Sequence, residues 1–304
     1  MIEAQALVKR YGQKVAVNDL SFTVQPGIVT GFLGPNGAGK STTMRMIIGL
    51  DRPTSGWVTV NGRRYADSPA PLREVGALLE AKAVHTSRTA RNHLLVLAAT
   101  CGIPRHRVDD MIDLVGLTDV ANKRAGGFSL GMGQRLGIAA ALLGDPEVVV
   151  LDEPVNGLDP EGILWVRNLL KGLAAEGRTV FVSSHLMSEM ALTADHLIVI
   201  GRGQLIADLP VDEFVRQASG DTVYVRTPHA DRLTPLLQAA KATVSALSAD
   251  RLEVQGLRTD DIGELAAQHG LVLHELSPVH ASLEQAFMEL THESVEYHGG
   301  VVAS

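Results

Sequence analysis

One stretch of the chain has residue types and an order suited to phosphate chemistry. Gly34, Pro35, Asn36, Gly37, Ala38, Gly39, Lys40, Ser41 and Thr42 match the pattern G-x-x-x-x-G-K-[ST]. Glycines let a backbone curl until its N–H groups converge on phosphate oxygens. A following helix start adds a field that favours anions. Lys40 is expected to reach the β- and γ-phosphates, and the Ser41 hydroxyl to ligate Mg²⁺. A second candidate pair is Asp152 and Glu153, which end the apolar run Val148, Val149, Val150, Leu151. An apolar strand ending in two carboxylates delivers both to the carboxyl edge of a sheet. There Asp152 can hold the Mg²⁺ shell, and Glu153 can orient or deprotonate a water attacking the γ-phosphate. A guanine-reading N-K-x-D motif is missing, since its nearest match, Asn122, Lys123, Arg124 and Ala125, lacks the aspartate.

These residues need elements to hold them. Ile28 to Leu33 reads as a strand entering the glycine-rich turn, and Ser41 to Leu50 as the helix leaving it. Ser21 to Val24 alternates as a strand, and Gly56 to Val60 runs into the turn pair Asn61–Gly62. Helices are expected at Ala90 to Cys101, Val108 to Val115 and Gln134 to Leu143. After the buried strand Val148 to Leu151 come a helix (Leu164 to Ala175), a strand (Thr179 to Ser183), a helix (Leu186 to Thr193) and a strand (His196 to Ile200). Strands alternating with helices predict an α/β parallel sheet with both faces covered. The helical insertion marks a subdomain at about 82–145. Near Ser219–Gly220 the pattern restarts with strands Thr222 to Arg226, Thr243 to Leu247, Leu252 to Gln255 and Leu271 to Glu275. Helices are expected at Asp231 to Lys241, at Thr259 to His269 with Thr259 as its cap, and at Ala281 to Leu290. The expected layout is a phosphate-binding domain over 1–218, a small α+β domain over 219–292 and a flexible tail over 293–304.

Composition narrows the classes. Apolar residues make up 45% of the 304, so a sizeable core can form. Aromatics are only 4%, which leaves Ala, Val, Leu and Ile, the usual filling of covered parallel sheets. Cys101 is the single cysteine, so no internal disulfide forms and a reducing compartment fits. Apolar runs stay short, and the start of the chain carries no secretion signal, so neither a membrane span nor secretion is expected. Of 27 basic and 34 acidic residues, 5 and 12 lie from Asp221 onward, which leaves 22 of each in residues 1–220. A neutral first part without a basic stripe argues against nucleic acid as a partner.

Further residues fall in a diagnostic order. Phe128, Ser129, Leu130, Gly131 and Met132 begin a helix before Asp152; Asn156, Gly157, Leu158 and Asp159 follow Glu153 and Pro154; His185 follows the next apolar strand; Tyr11 precedes the glycine-rich loop. Over residues 2 to about 215 this set resembles the ATP-binding cassette (ABC) family. The resemblance implies a P-loop cassette with a RecA-like core sheet, antiparallel β and helical subdomains, and a small α+β C-terminal domain. It implies ATP and Mg²⁺, with adenine stacked on Tyr11, Ser129 and Gly131 as the signature contact to phosphate, Asp159 in the D-loop and His185 as the switch histidine. The Q-loop glutamine aligns with Glu80, which can still contact Mg²⁺ or its water but adds negative charge. Leu130 and Met132 stand where the signature usually has Gly and Gln. Such cassettes act as head-to-tail pairs, the signature of one closing on ATP held by the other. The implied partners are a second copy and a separate membrane permease, whose coupling helix the segment Glu80 to Arg91 would receive. The implied location is cytoplasmic, peripheral on the inner face of the membrane. Ser282 to Thr291 resembles the closing S-L-E-x-x-F-x-x-L-T of drug-resistance exporter ATPases of the bacitracin and daunorubicin type. Export of drug, antibiotic or lipid-like cargo is therefore expected. The alternative is a soluble ABC ATPase acting on DNA or ribosomes.

Overall fold

A computed structural model describes residues 1–80, 84–219, 222–278 and 282–291. Two units emerge, Met1–Pro210 and Val211–Leu290. The first contains strands β1 (Ile2–Tyr11), β2 (Lys14–Val24), β3 (Val29–Leu33), β4 (Ser55–Val60), β5 (Val75–Leu78), β6 (Val148–Asp152), β7 (Thr179–Ser183), β8 (His196–Gly201) and β9 (Gln204–Pro210). Its central sheet has the order β5-β6-β7-β3-β8-β9, parallel except for the antiparallel β9. β3 and β7 are buried along their whole length, as expected of strands covered on both faces. Register aligns the strand ends. Asp152 pairs with Ser183, and Ser183 pairs with Phe32, so the ends of β6, β7 and β3 lie level at one sheet edge. The loop after Leu33 and the two carboxylates thereby become neighbours.

A three-stranded antiparallel sheet, β2-β1-β4, packs on the central one. Phe22 from β2 meets Phe181 from β7 with ring centroids 5.8 Å apart, and Phe181 meets Phe32 at 4.9 Å. Burying each of these rings is worth about 1.5–3 kcal/mol. The expected strand Ser21 to Val24 is only the end of β2, and β1 escapes the sequence pattern altogether. The cause is local. Register shifts interrupt the pairing of β1 with β2, and Ala6 and Asp19 have φ of 48° and 55°. Such irregularities break the period-two alternation that marks a strand. By contrast, Asn61 and Gly62 (φ 49° and 79°) form a tight turn of primed type, bridged by Val60 and Arg63.

Helices Ala90–Thr100, His106–Leu114 and Leu130–Leu142 lie between β5 and β6 in the chain. The last begins four residues before the expected Gln134, because Ser129 caps it. Helix Pro160–Ala175 likewise starts before Leu164, with Asp159 as its cap and proline in its first turn.

The second unit carries β10 (Thr222–Arg226), β11 (Thr243–Ala246), β12 (Arg251–Gln255) and β13 (Glu275–Pro278) in the antiparallel order β11-β12-β10-β13. Val223, Val225, Leu252 and Val254 form a core with Leu233 and Leu237 of helix Ala230–Ala239 and Ile262 of helix Thr259–Gln268. Two expectations change here. The last strand is Glu275–Pro278 rather than Leu271 to Glu275, and Thr259 is the first helical residue, with Arg258 at the cap position. The Asp261 carboxylate accepts the Arg258 backbone N–H at 3.2 Å, so an acidic side chain in the first turn ties down the helix start. The unit boundary falls after Pro210, where 218 was expected, because helix Val211–Ser219 groups with the second unit. The expected tail 293–304, the start of the helical subdomain at 82 and Ala281 lie outside the described residues. Among the described residues no helix is long and apolar enough to cross a membrane.

Candidate functional site

The glycine-rich loop joins β3 to helix Lys40–Ile47, the strand–turn–helix setting that phosphate binding requires. Two of its glycines are sterically necessary. A Cβ on Gly39 (φ 105°) would lie 2.5 Å from the Ala16 carbonyl oxygen, and one on Gly34 would lie 2.5 Å from that of Ile200. Lys40 Nζ donates to the carbonyl oxygens of Gly34 and, at 3.2 Å, Pro35, so it folds back over the loop. Burial pushes the Lys40 ammonium below the usual lysine range, and the nearby Glu153 and Asp152 carboxylates oppose that shift. Ser41 Oγ donates to Asp152 Oδ2 at 2.8 Å, while Ser183 Oγ donates to Asp152 Oδ1. A hydroxyl beside a carboxylate is the hard-oxygen pair that Mg²⁺ accepts, together with phosphate oxygens and water. The donor set therefore fits Mg²⁺ arriving with a nucleotide. Among the described residues no group of three or more His, Cys, Asp or Glu side chains could hold a metal by itself.

Glu153 follows β6 with φ 52°, a conformation uncommon outside glycine. Its N–H donates to the carbonyl oxygen and Oγ of Ser183 at 3.2 and 3.1 Å. Its Oε2 lies 2.7 Å from His185 Nδ1 and accepts the His185 backbone N–H at 3.2 Å. A carboxylate so aimed, beside the phosphate loop, can take a proton from water, with His185 holding it in place.

A cleft of about 410 Å³ is lined by the loop, Asp152, Glu153, Tyr11, Lys14 and Ala16. A larger cavity of about 490 Å³ lies between Trp57 and Tyr65. Chemistry rather than volume selects the first, since of the two only it is lined by the loop amides, Lys40 and both carboxylates. Tyr11 is 48% exposed and lines that cleft. Its hydroxyl donates to Asp51 Oδ2 at 2.8 Å, and Lys9 Nζ sits 4.9 Å from the ring centroid. Burial, followed by the hydrogen bond to Asp51, raises the Tyr11 phenol above its ordinary value.

Ser129, Gly131, Asp159 and Glu80 do not line this cleft. Ser129 Oγ accepts the Met132 N–H at 3.2 Å, and Asp159 Oδ1 accepts the Gly162 N–H at 3.0 Å, so both act here as helix caps. The helix start and the loop after Glu153 touch, because a Cβ on Gly131 would lie 2.8 Å from the Gly157 carbonyl oxygen. Glu80 is exposed just beyond β5. Two residues that the motifs did not flag belong with the site. Ser183 is fully buried between Asp152 and Glu153, and Gln134 is bonded to the Glu153 carbonyl. The available sequence signals were a serine ending a strand next to β6 and a lone amide within an apolar helix.

An ABC transporter family model matches residues 17–156, and a domain of unknown function, DUF8746, matches residues 221–284. The bacitracin transport ATP-binding protein BcrA of Bacillus licheniformis is 42% identical over 220 residues, 71% of this chain and 72% of that protein. The chain belongs to the ABC transporter family. As an ABC cassette it binds ATP and is an ATPase. The Nod factor export ATP-binding protein I of Burkholderia orbicola is 34% identical over 301 residues, 95% of this chain and 96% of that one. A dimeric bacterial ABC transporter cassette, MJ0796, superimposes with a TM-score of 0.64 at 25% identity, covering 69% of this chain and 99% of that structure.

Proposed function

We propose that this ABC cassette hydrolyses ATP to energise a separate membrane permease that exports drug, antibiotic or lipid-like cargo. One observation supports the ATPase chemistry above all others: Lys40, Ser41, Asp152 and the Glu153–His185 pair meet at one sheet edge. Lys40 and the loop amides offset the phosphate charge. Glu153 accepts the proton of the attacking water, and His185 keeps its carboxylate aimed. Mg²⁺, held by Ser41 and Asp152, supplies charge neutralisation at the phosphates when bound. The export assignment draws on relatives named for bacitracin transport and Nod factor export.

The proposed working unit is a head-to-tail pair, peripheral on the cytoplasmic face of the membrane. In it, Ser129 and the following backbone N–H groups cap the ATP held by the partner cassette, an anion at a helix N-terminus. The MJ0796 cassette, solved as a dimer, supports a paired state. Binding then favours closure and hydrolysis favours opening. Purified Glu153→Gln protein is expected to bind Mg·ATP with near wild-type affinity and to turn over at least about a hundredfold more slowly, the usual scale of general-base catalysis. Wild-type turnover would remove Glu153 as the base. ATPase activity measured with the co-purified permease, and its stimulation by candidate compounds, tests the export assignment.

A further inference from the structure

Resting on the reading of Glu153 as the general base, we propose that Gln134 is a positioning residue that sets its aim through the backbone. Gln134 is 2% exposed and is the fifth residue of helix Leu130–Leu142. Its Nε2 donates to the Glu153 carbonyl oxygen at 2.8 Å. A carboxamide this deeply buried is costly without a partner, so the helix is committed to that bond. What it holds is a strained residue. A non-glycine φ of 52° persists only where the surroundings over-determine it.

Those surroundings can be named. The Glu153 N–H is held by Ser183 of β7, and the Glu153 carbonyl by the Asn156 N–H at 3.2 Å and by Gln134. Of these contacts, Gln134 alone comes from the helical insertion between β5 and β6. Without it the carbonyl is held only from within its own loop. Relaxing φ toward ordinary values would swing the side chain away from His185 Nδ1, now 2.7 Å from Oε2, and off the water it activates. The same helix begins at Ser129, five residues or about 7.5 Å along the axis from Gln134. A displacement of that helix start is thus passed to the base through one rigid turn and a half and one hydrogen bond.

The test is Gln134→Met in the full-length chain, a substitution that keeps the size and removes the donor. Steady-state ATPase should show kcat lowered about tenfold, equal to about 1.4 kcal/mol in the barrier. KM and the Mg·ATP dissociation constant should stay within about twofold, because Lys40 and Ser41 are untouched. In a Glu153→Gln background the substitution should cost nothing further, as expected when two residues act as one device. Amide hydrogen exchange should accelerate across Glu153–Asn156 and not across Gly34–Thr42. An unchanged kcat, a loss shared equally with ATP binding, or a full additional loss in the Glu153→Gln background overturns the proposal. Wild-type turnover by Glu153→Gln alone is a different result and removes the base itself. Should Gln134→Met not fold, Gln134→Glu decides by pH. A carboxyl there donates only when protonated, so its activity relative to wild type must rise as the pH falls, and a flat ratio overturns the idea.

Discussion

Ser183 shows how one hydroxyl organises several charges. It is fully buried, donates to Asp152 Oδ1 and accepts the Glu153 N–H, so it fixes Asp152, the proposed Mg²⁺ ligand, and Glu153, the proposed base, together. Replacing it with alanine leaves the Ser183 carbonyl on the Glu153 N–H but strips Asp152 of a donor. Ser183→Ala is expected to lose about 2 kcal/mol of stability, the scale of a hydrogen bond to a charged group. Freed from that bond, Asp152 should need more Mg²⁺ for half-maximal ATPase activity. A magnesium titration beside a thermal melt checks both, and an unchanged magnesium requirement would show that Ser41 alone orients the carboxylate. The motifs point to Lys40, Ser41, Asp152 and Glu153 because their chemistry depends on side-chain type and local spacing. Ser183 and Gln134 stay hidden because their roles arise from register between β6 and β7 and from helix packing, which one-dimensional spacing does not carry.

At the scale of elements, caps decide where the machinery begins. Helix Pro160–Ala175 covers part of the central sheet with Val166, Leu170 and Leu173 buried, and Asp159 starts it by accepting the Gly162 N–H. A carboxylate there also sits favourably in the field of the helix. Asp159→Ala is expected to cost about 1 kcal/mol of stability, read by denaturant unfolding, whereas Asp159→Asn should retain most of it. If Asp159→Ala lost ATPase activity with no loss of stability, the residue would be acting on chemistry rather than as a cap. Elements with unbroken patterns are legible in the sequence: β6 and β7 as apolar runs, the glycine loop between β3 and its helix, and most helices to within a few residues. β1 is not, because bulges and the left-handed Ala6 scramble its alternation. Leu271 to His274 resembles a strand because its residues are apolar enough. Leu271 instead packs in the core of the second unit, and ladder pairing begins only at Glu275.

For the whole molecule, the question is how a site with one signature helix per chain becomes a motor. Ser129 does not line the cleft that holds Lys40, and in the proposed pair it meets a phosphate held by a second copy. Charge permits this. Residues 1–220 carry 22 basic and 22 acidic side chains, so two cassettes approach without net repulsion, and in the proposed pair Mg·ATP would add specific attraction at two helix starts. Glu153→Gln protein is therefore expected to be monomeric without nucleotide and dimeric with Mg·ATP, in a concentration-dependent manner readable by sedimentation. Ser129→Glu in the same background places a fixed negative charge at the helix start, where phosphate would otherwise sit. It should leave monomer ATP binding within about twofold and weaken dimerisation at least about tenfold, the cost of some 1.4 kcal/mol of lost attraction. A Ser129→Glu dimer as tight as its parent would mean that the two cassettes meet through another surface, and the signature helix would then have to find its phosphate elsewhere.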